Sequence, residues 1–524
     1  MQTVEIVILE TSDLHGNILP INYGTNEMAE KGLAKVAALI KKEKGKNPDA
    51  VLIDGGDVIQ GTPLTYHHAR FQSHEPNPMI KILNQLEYDA GVIGNHEFNY
   101  GLEFLNKAVD ESAYPWLSAN IIDIETEKPY FGKPYIIKTV SQGIRIGILG
   151  VTTPYIPNWE KKEHIKGLRF DDAAETAKKW VRFLKEQEKV DLVVVAYHGG
   201  FERDLDTGEA TETFTGENQA YQICMEVPGI DVLLTGHQHR KLAGKNINGV
   251  TILQPGCNGI ALGKVTVEME KTDDGCRIKG KHSELLSVNG VEPDQEVIRL
   301  AEPYEQAVQK WLDQPIGYIQ GDMTVSDPME IRLKDHPLIE FINHVQMDAA
   351  GVDISNTALF DNQSPGFSSI VTMRSVVANY IYPNTLVVLR VKGKVIKDAL
   401  EKSASYFERL ADGSIRVSDA FTTPKPQHYN YDMWEGIEYI IDVRKPVGQR
   451  VTHLNYKGQP LRADQQVDVV MNHYRAGGGG DYWMYKNQPV VKEIPIDVPE
   501  LIANYFLKHK VIEAVVDENW KVVY

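Results

Sequence analysis

The stretch Gly94-Asn95-His96-Glu97-Phe98-Asn99 (GNHEFN) decides the fold of this chain. It directly follows the apolar run AGVI at 90–93, which has the length and composition of a short buried strand. We therefore expect GNHEFN to form a turn where a strand ends. An asparagine beside a histidine at such a point is typical of a binding site, and an ordinary polar turn is the alternative.

The same arrangement, an apolar run followed by a loop with aspartate or histidine, recurs along the first half of the chain. Apolar runs that alternate with helical patterns predict an α/β sandwich, whose ligands bind at strand ends. Residues two apart in an extended chain point the same way, so Asp13 and His15 can reach one point. An Asx-turn is the alternative for a lone aspartate such as Asp57. The runs and the residues that follow them are 4–9 with Asp13 and His15, 50–53 with Asp57, 190–196 with His198, and 230–234 with His237 and His239.

Composition excludes several classes of protein. A chain of 524 residues with 42% hydrophobic residues is too long for one compact core, so we expect at least two domains. The net charge of -17 argues against binding a nucleic-acid polymer, which requires clustered Lys and Arg. The three cysteines lack CxxC spacing, which argues against a zinc ribbon and a disulfide framework. No apolar run is long enough to predict a membrane span.

The pattern of helical and strand-like segments changes near residue 313 and divides the chain there. Residues 294–313 have one charged helical pattern, interrupted by Pro303, and we expect a linker helix there. The expected domains are therefore residues 1–293 and residues 314–524. Within the second domain, residues 410–429 contain Pro, Thr and Asp with little periodicity, which predicts a long surface loop.

The polar residues at the strand ends have the chemistry of metal ligands. Carboxylate and imidazole together suit Mn, Fe, Zn or Co better than the all-oxygen shells of Ca or Mg. Two such ions held side by side favour attack on phosphorus. A single histidine is more often a hydrogen-bonding residue than a ligand, but one shared position for eight residues favours a metal site. The eight are Asp13, His15, Asp57, Asn95, His96, His198, His237 and His239.

In this order the blocks resemble those of the calcineurin-like metallophosphoesterases and, more narrowly, of the 5'-nucleotidase superfamily. The resemblance implies an α/β fold, α+β overall: a four-layer metallophosphoesterase β-sandwich flanked by helices. A linker helix would join this catalytic domain to a smaller α/β nucleotide-binding domain. Two divalent metal ions are implied as cofactors. The blocks read DLH at 13–15, GGD at 55–57, GNHE at 94–97, His198, and GHQH at 236–239.

The resemblance also implies a role for each residue of these blocks. Asp57 would bridge the two metal ions. His96 would face the phosphate, where it stabilises the transition state or protonates the leaving oxygen. The first metal would be held by Asp13, His15, Asp57 and His239, and the second by Asp57, Asn95, His198 and His237.

Asn99 indicates one branch of the superfamily. Typical 5'-nucleotidases have an aspartate there as the partner of the catalytic histidine, whereas GNHEFNYG is similar to the 2',3'-cyclic-nucleotide 2'-phosphodiesterase/3'-nucleotidase group. The stretch 429–432 (YNYD) also resembles that group. Arginines typical of 5'-nucleotidases are missing after Gly321-Asp322 and from residues 361–367. The resemblance therefore implies hydrolysis of 2',3'-cyclic nucleotides to 3'-nucleotides, and of these to nucleoside and phosphate. The alternatives are a 5'-nucleotidase or nucleotide-sugar hydrolase, and a catalytically dead nucleoside-binding surface protein.

Two blocks of the second domain resemble those that bind the nucleotide base. Tyr382 and Tyr474 would stack on the base, and stacking is worth about 1–3 kcal/mol per base. Asn384 lies in the block of Tyr382, and Gly478 and Asp481 lie in the glycine-rich block of Tyr474. A core or surface aromatic is the alternative for either tyrosine.

The expected partners are small-molecule nucleotides, with no nucleic-acid polymer and no membrane span. We expect a monomer. Resemblance favours a periplasmic or cell-surface location, and because residues 1–9 are typical of a strand rather than a leader, a cytoplasmic location is the alternative.

Overall fold

The computed structural model describes residues 2–212, 214–272, 275–382, 384–423, 425–494 and 496–524. Pro383, in the block of Tyr382, lies outside the described residues. The chain folds as two compact units, Met1–Val308 and Gln309–Tyr524. In the part of the chain that the structure describes, no helix is long and apolar enough to cross a bilayer.

The first unit alternates strands with helices. Its strands are β1 Gln2–Thr11, β2 Ile21–Asn22, β3 Glu27–Met28, β4 Val51–Asp54, β5 Ala90–Val92, β6 Trp116–Leu117, β7 Ile121–Asp123, β8 Lys128–Pro129, β9 Tyr135–Thr139, β10 Arg145–Thr152, β11 Leu168–Phe170, β12 Leu192–His198, β13 Val232–Thr235, β14 Lys241–Ile247, β15 Val250–Pro255, β16 Ala261–Thr272 and β17 Gly275–Ser287. Its helices are α1 Leu33–Lys46, α2 Pro63–Phe71, α3 Pro78–Gln85, α4 Leu102–Glu111, α5 Ala173–Glu186 and α6 Ala220–Glu226, and α7 Gln295–Leu312 continues past its end.

Two sheets make up most of the first unit. One has the strand order β17-β16-β1-β4-β5-β6, and the other has the order β14-β15-β13-β12-β10-β9. Strands β1, β4, β5 and β6 run parallel in the first sheet. Strands β10, β12, β13 and β15 run parallel in the second. Each sheet therefore collects the carboxyl ends of its parallel strands along one edge, where ligands of α/β folds bind.

Strand β12 shows how the layers are packed. Successive side chains of a strand point to opposite faces. Leu192 and Val194 are buried in the core that also contains Ile6 of the other sheet. Val193 lies on the opposite face, in a core with Val181 of helix α5. This sheet is thus covered by a sheet on one face and by helices on the other, and helix α1 packs against β16 of the first sheet. The predicted four-layer β-sandwich flanked by helices is confirmed.

The second unit mixes short strands and helices around its own core. Its main sheet has the order β26-β20-β30-β23-β31. Its strands are β18 Pro315–Gln320, β19 Met323–Thr324, β20 Ser355–Thr357, β21 Gly366–Phe367, β22 Ile370–Thr372, β23 Leu386–Lys392, β24 Phe407–Arg409, β25 Ile415–Val417, β26 Met433–Glu435, β27 Glu438–Asp442, β28 Val451–Tyr456, β29 Gln459–Pro460, β30 Gln466–Asn472, β31 Val490–Ile494, β32 Val511–Glu513 and β33 Trp520–Val523. Its helices are α8 Pro328–Ile331, α9 Pro337–Ala350, α10 Met373–Asn379, α11 Gly393–Ala404, α12 His473–Ala476 and α13 Val498–His509.

The stretch 410–429 differs from the long loop that the sequence predicts. Strand β25 pairs antiparallel with β24, so the stretch begins as a short hairpin. Its turn is closed by a hydrogen bond from Leu410 N to Ser414 O of 2.8 Å. Phe421 is buried in the core of the second unit. The expectation of a surface loop is wrong in this part, because each strand is too short to produce a periodic pattern.

Candidate metal centre

The predicted ligands lie at the carboxyl ends of the parallel strands. Asp13 follows β1 and Asp57 follows β4, two neighbouring strands of the first sheet. Asn95 follows β5 in the same sheet. His198 ends β12 and His237 follows β13 in the second sheet. The site therefore draws its side chains from adjacent edges of two sheets that share one core.

Two donor clusters form at this position. The first contains Asp13, His15 and His239, and the second contains Asp57, His198 and His237. Within each cluster the ligand atoms lie within 4.8 Å of one another. Each offers one carboxylate and two imidazoles, a donor set that suits divalent transition metals. The residues present therefore fit a two-metal centre.

Asp57 contacts ligands of both clusters. Its Oδ2 lies 3.2 Å from His198 Nε2 and 3.9 Å from His15 Nε2. Asn95 contacts the second cluster, since its Oδ1 lies 3.1 Å from His198 Nε2 and 2.9 Å from His237 Nδ1. Asp57 thus lies between the two clusters, and Asn95 lies beside the second.

Backbone strain is concentrated in these loops. Residues other than glycine rarely adopt a positive φ, which costs about 1–3 kcal/mol and is tolerated where the surroundings hold it. Hydrogen bonds hold it here, from Asp13 N to Gly56 O at 2.9 Å and from His15 N to Asp57 O at 2.8 Å. The strained candidate ligands, with their φ values, are Asp13 (52°), His15 (47°), Asp57 (58°), His237 (67°) and His239 (57°).

The electrostatics of the site favour bound cations. Burial alone would raise the pKa of Asp57, but the imidazoles of His198 and His96 hold that pKa well below its usual value. Burial opposes the charged form of His198, but the Asp57 carboxylate raises the pKa of His198 to about 10. Burial lowers the pKa of His15 to about 3. The aspartates are thus held as anions, ready to pair with positive charge.

Hydrogen bonds behind the candidate ligands fix their rings. His198 Nδ1 donates to the carbonyl of Gly55 at 2.7 Å, which leaves Nε2 facing Asp57. His237 Nε2 lies 3.0 Å from Glu217 Oε1, and the ring of Trp159 lies 5.4 Å from that of His237. Such partners set ring orientation at metal sites. Glu217 and Trp159 were not found by sequence reasoning, because neither follows a strand of the site.

Glu97 holds the loops after β4 and β5 in position through hydrogen bonds. It is fully buried, and its Oε2 accepts hydrogen bonds from Asp57 N at 2.9 Å and Gly94 N at 2.7 Å. Its Oε1 accepts from Val58 N at 2.6 Å. A single carboxylate therefore ties the loop after β4 to the loop after β5. Glu97 is in the GNHEFN stretch but was not predicted to have a role, since its neighbours Asn95 and His96 explained the motif.

His96 lies beside the donor clusters, and it is in neither of those found among the described residues. Its backbone N donates to Asp57 Oδ1 at 2.8 Å, and its ring lies 5.3 Å from that of His15. Asn99 Nδ2 donates to Glu160 Oε2 at 2.8 Å, so Asn99 Oδ1 is the atom that accepts from His96 Nδ1 at 2.7 Å. The ring of His96 is thereby oriented through its Nδ1. Residues His96–Phe98 form one 3₁₀ turn.

The predicted base-binding tyrosines are joined by a third aromatic residue. The ring of Tyr429 lies 6.3 Å from that of Tyr382 and 6.5 Å from that of Tyr474. Phe360 continues the cluster, 5.5 Å from Tyr382. The sequence placed Tyr429 in a distinctive block but did not predict its contact with both tyrosines, because the three lie far apart in the chain.

Arg475 holds the glycine-rich loop in place. Its guanidinium is buried and lies 2.8 Å from Asp432 Oδ2, and it also donates to the carbonyls of Tyr429, at 2.8 Å, and of Gly479. It stacks 3.9 Å from the ring of Tyr482. Arg475 therefore links the loop to the aromatic cluster.

The remaining predicted binding residues lie around these elements. Gly478 has a φ of 92° and Asp481 a φ of 65°, as a tight loop requires. The Asp481 carboxylate is largely exposed, 3.3 Å from Lys402 Nζ. Asn384 O accepts a hydrogen bond of 2.8 Å from Val498 N.

Comparison with known families gives two matches. Residues 6–241 match the calcineurin-like phosphoesterase family. Residues 315–487 match the 5'-nucleotidase C-terminal domain.

Relatives are similar over most of the chain. A 2',3'-cyclic-nucleotide 2'-phosphodiesterase/3'-nucleotidase of Salmonella typhimurium is 30% identical over 91% of this chain and 82% of its own length. The trifunctional nucleotide phosphoesterase protein YfkN of Bacillus subtilis is 27% identical over 99% of this chain, which spans 39% of YfkN. A Staphylococcus aureus structure described as that of a 5'-nucleotidase with alpha-ketoglutarate has a TM-score of 0.90 and is 34% identical, covering 99% of this chain and 100% of its own.

Calcineurin-like phosphoesterases use two divalent metal ions, and the two donor clusters of this chain match that requirement. Both halves of the chain match in the order that the superfamily requires, the phosphoesterase first and the 5'-nucleotidase C-terminal domain second. The chain therefore belongs to the 5'-nucleotidase family of calcineurin-like metallophosphoesterases, which are phosphoric ester hydrolases.

Proposed function

We propose that this enzyme hydrolyses 2',3'-cyclic nucleotides to 3'-nucleotides, and 3'-nucleotides to nucleoside and phosphate. The observation that carries the proposal is the His96–Asn99 pair beside the two donor clusters. Relatives from Salmonella typhimurium, Yersinia enterocolitica and Haemophilus influenzae are named for this pair of activities.

The proposed ligands follow from the contacts. Asp57 would be shared by both ions, because its Oδ2 lies near histidines of both clusters. When bound, the two ions supply Lewis acidity that polarises the phosphoryl group and neutralises its charge. The first ion would be held by Asp13, His15, Asp57 and His239, and the second by Asp57, Asn95, His198 and His237.

His96 would act at the leaving oxygen. Asn99 accepts from Nδ1, so His96 protonated on both ring nitrogens would donate its second proton from Nε2. In the first reaction water adds to phosphorus and releases a proton to solvent, the bond from phosphorus to the 2'-oxygen breaks, and that oxygen takes the proton from Nε2, which His96 regains from solvent. The 3'-nucleotide remains. Such proton donation typically contributes about 10²- to 10⁴-fold in rate.

The two domains would have separate roles in the reaction. Residues 1–293 would carry the phosphoesterase chemistry, residues 294–313 would link the domains, and residues 314–524 would bind the nucleoside. Support for the last role comes from the joined rings of Tyr382, Tyr429 and Tyr474, since a base can stack on any aromatic face. In this proposal Asn384, Gly478 and Asp481 complete the binding region.

The test is phosphate release and product identity with Mn²⁺, comparing 2',3'-cyclic AMP, 3'-AMP and 5'-AMP at equal concentration. For the cyclic substrate, product analysis measures ring opening. Phosphate released after a phosphatase is added measures the total amount of nucleotide whose ring has been opened. We expect 2',3'-cyclic AMP and 3'-AMP to be clearly preferred, with 3'-AMP formed from the cyclic substrate. Formation of 2'-AMP as the main product would contradict the role given to His96 and the 2'-oxygen.

A 5'-nucleotidase is the second candidate, favoured by the similarity to the Staphylococcus aureus structure. In that case 5'-AMP would be the best of the three substrates, and the use of Asn99 to choose the branch would be wrong. The metal centre would stand in either case. Binding of metal and nucleoside with no turnover of any substrate would favour a catalytically dead binding protein.

We further propose that the enzyme is a monomer located in the periplasm or at the cell surface, as the resemblance to exported nucleotidases supports. Sedimentation velocity at micromolar concentration tests the first point, and cell fractionation tests the second. A dimer, or recovery with cytoplasmic markers, would contradict the proposal.

A further inference from the structure

A group of carboxylates lies in the second unit, outside the candidate metal centre. Oxygens of Asp335, Glu340 and Asp517 lie within 4.8 Å of one another. Asp335 precedes helix α9, Glu340 lies in the first turns of that helix, and Asp517 lies between β32 and β33. Glu435, the last residue of β26, is connected to the group through Asn519, which donates its Nδ2 to Glu435 Oε2 and its backbone N to Asp517 Oδ1 at 3.1 Å. Three separate segments, the start of helix α9, the end of β26 and the stretch between β32 and β33, thus bring negative groups together.

Most of this charge is buried. Asp335 is 9% exposed, Glu340 4% and Glu435 1%, and Asp517 is exposed. Burying carboxylates without an opposite charge costs several kcal/mol for each ion. Among the described residues, the ion-pair contact made to the group is from His344, whose Nδ1 lies 3.9 Å from Glu340 Oε1. One partly exposed imidazole cannot neutralise four carboxylates.

Buried oxygens in the group lack hydrogen-bond partners. Glu435 Oε2 accepts from Asn519 Nδ2 at 2.7 Å. Glu435 Oε1 and Asn519 Oδ1 are buried and have no hydrogen-bond partner among the described residues. Buried polar atoms are almost always satisfied, so these two oxygens require a ligand. A bound cation would satisfy both, since each is an oxygen with free lone pairs.

Without a cation the group must hold protons near neutral pH. Burial, followed by the Asp335, Asp517 and Glu340 carboxylates, raises the pKa of Glu435 to about 9. Burial, followed by Asp335 and Asp517, raises the pKa of Glu340 to about 7. A divalent cation would replace those protons and remove the repulsion.

We propose that Asp335, Glu340, Glu435 and Asp517 form a third metal site, specific for a hard divalent cation of the Ca²⁺ or Mg²⁺ class. The donors are all oxygens, which such cations prefer, whereas the clusters at the candidate metal centre contain imidazoles. Asn519 also carries a buried oxygen without a hydrogen-bond partner among the described residues, Oδ1, and its backbone N donates to Asp517 Oδ1 at 3.1 Å. This site is independent of the proposed activity, since its residues belong to another unit of the chain.

A cation at this site would have a structural role. Asp517 N donates to Glu340 Oε2 at 3.0 Å, and Glu518 N donates to Asp335 Oδ2 at 3.1 Å. The segment before β33 is therefore fastened to the start of helix α9 through the same carboxylates. A cation there would strengthen the attachment of the C-terminal strand and stabilise the second unit.

The test uses the full chain after chelation and exchange into buffer, with CaCl₂ or MgCl₂ added and Tm measured by calorimetry. We expect a cation to raise the Tm of the second-unit transition by about 5 to 10 °C at 100 times its Kd. Binding of Tb³⁺ provides a direct readout. Trp434 and Trp520, chain neighbours of Glu435 and Asn519, should sensitise its emission.

Asp517→Asn should abolish both the increase in Tm and the sensitised Tb³⁺ emission. Because Asp517 is exposed, this variant should fold. The matched control is Asp464→Asn, which changes an aspartate whose side chain is 83% exposed, in the same unit. Asp13→Asn, at the candidate metal centre, should keep the increase in Tm. Loss of the increase in Asp13→Asn but not in Asp517→Asn would place the effect at the other site and overturn the proposal.

Glu435→Gln distinguishes a bound cation from a proton shared among the carboxylates. In chelator we expect this variant to be about as stable as the parent chain, because a protonated carboxyl is replaced by a neutral amide of the same size, and to gain no Tm from Ca²⁺ or Mg²⁺. A response to Mg²⁺ alone would identify Mg²⁺ and support the site equally. If neither cation changes Tm, and Tb³⁺ emission is equal in Asp517→Asn and Asp464→Asn, then Asp335 and Glu340 share a proton and the proposal is overturned.

Discussion

At the scale of single residues, His96 and Asn95 show how neighbours in sequence take different roles. The Asn95 amide contacts His198 and His237, whereas the His96 ring turns to Asn99. A change at His96 should therefore affect the reaction and leave the metal ligands in place.

His96→Ala should lower kcat for 2',3'-cyclic AMP by about 10²- to 10⁴-fold, because a proton donor or charge stabiliser is lost. Metal content should stay that of the parent enzyme, measured by mass spectrometry of the desalted protein. His74→Ala, which changes a histidine whose side chain is 75% exposed, is the matched control and should keep full activity. Loss of metal together with activity would make His96 a ligand.

Metal stoichiometry tests the position of Asp57 between the clusters. The parent chain should bind two Mn²⁺ at the candidate metal centre, and Asp57→Asn should weaken both, since Asp57 Oδ2 lies near His15 and His198. His239→Ala should weaken one, because His239 belongs to the first cluster. Equilibrium dialysis against Mn²⁺ measures both. Equal losses in the two variants would contradict a bridging role for Asp57.

Arg475 and Asp432 form a buried ion pair that should be sensitive to loss of one partner. Arg475→Met leaves the Asp432 carboxylate buried without its cation, which should lower the free energy of unfolding by about 3–5 kcal/mol. Adding Asp432→Leu should recover most of that loss. Arg390→Met removes an exposed pair with Asp468 and should cost about 1 kcal/mol or less. Urea denaturation measures all of these variants, and equal costs for Arg475→Met and the double variant would contradict the pairing argument.

At the scale of elements, the loops after β4 and β5 depend on Glu97. Both of its oxygens accept backbone N–H groups. Glu97→Gln replaces one acceptor by a donor, so N–H groups of Asp57 and Gly94, or of Val58, would lose their partner at about 1–3 kcal/mol each. We expect unfolding free energy to fall by about 2 kcal/mol or more and Mn²⁺ affinity to fall by about 10- to 100-fold.

Glu103→Gln is the control for Glu97→Gln, because Glu103 is exposed on the helix that follows. Denaturation and Mn²⁺ titration of both variants give the comparison. Normal Mn²⁺ affinity in Glu97→Gln would mean that the loops keep their shape without the carboxylate.

The elements of the first unit could be predicted because their patterns are long and local. Strand β12 is a continuous apolar run that ends at His198, and the structure has it there. Glu97 and Glu217 could not be predicted, since their roles depend on backbone groups and rings brought close by folding. The hairpin of β24 and β25 was missed because its strands have three residues each.

At the scale of the whole molecule, the net charge of -17 opposes binding of anionic substrates. Phosphate recognition must then depend on cations held locally, which the donor clusters of the first unit can supply. Affinity for the nucleoside must come from uncharged contacts, such as the aromatic cluster of the second unit. The order of the two matched domains was predictable from the motifs, but Tyr429 as the link in that cluster was not, since 44 residues of chain lie between it and Tyr474.

If phosphate binds in the first unit and the nucleoside in the second, a change in the nucleoside-binding residues should affect nucleotide substrates alone. Tyr474→Ala should raise KM for 2',3'-cyclic AMP by about 5- to 150-fold, the loss of about 1–3 kcal/mol of stacking. Hydrolysis of bis(p-nitrophenyl) phosphate, which has no nucleoside, should be unchanged. Tyr318→Ala, which changes an exposed tyrosine of the same unit, controls for nonspecific damage. An equal loss on both substrates would mean that Tyr474 supports the phosphoesterase reaction itself, and the second unit would then be more than a nucleoside-binding domain.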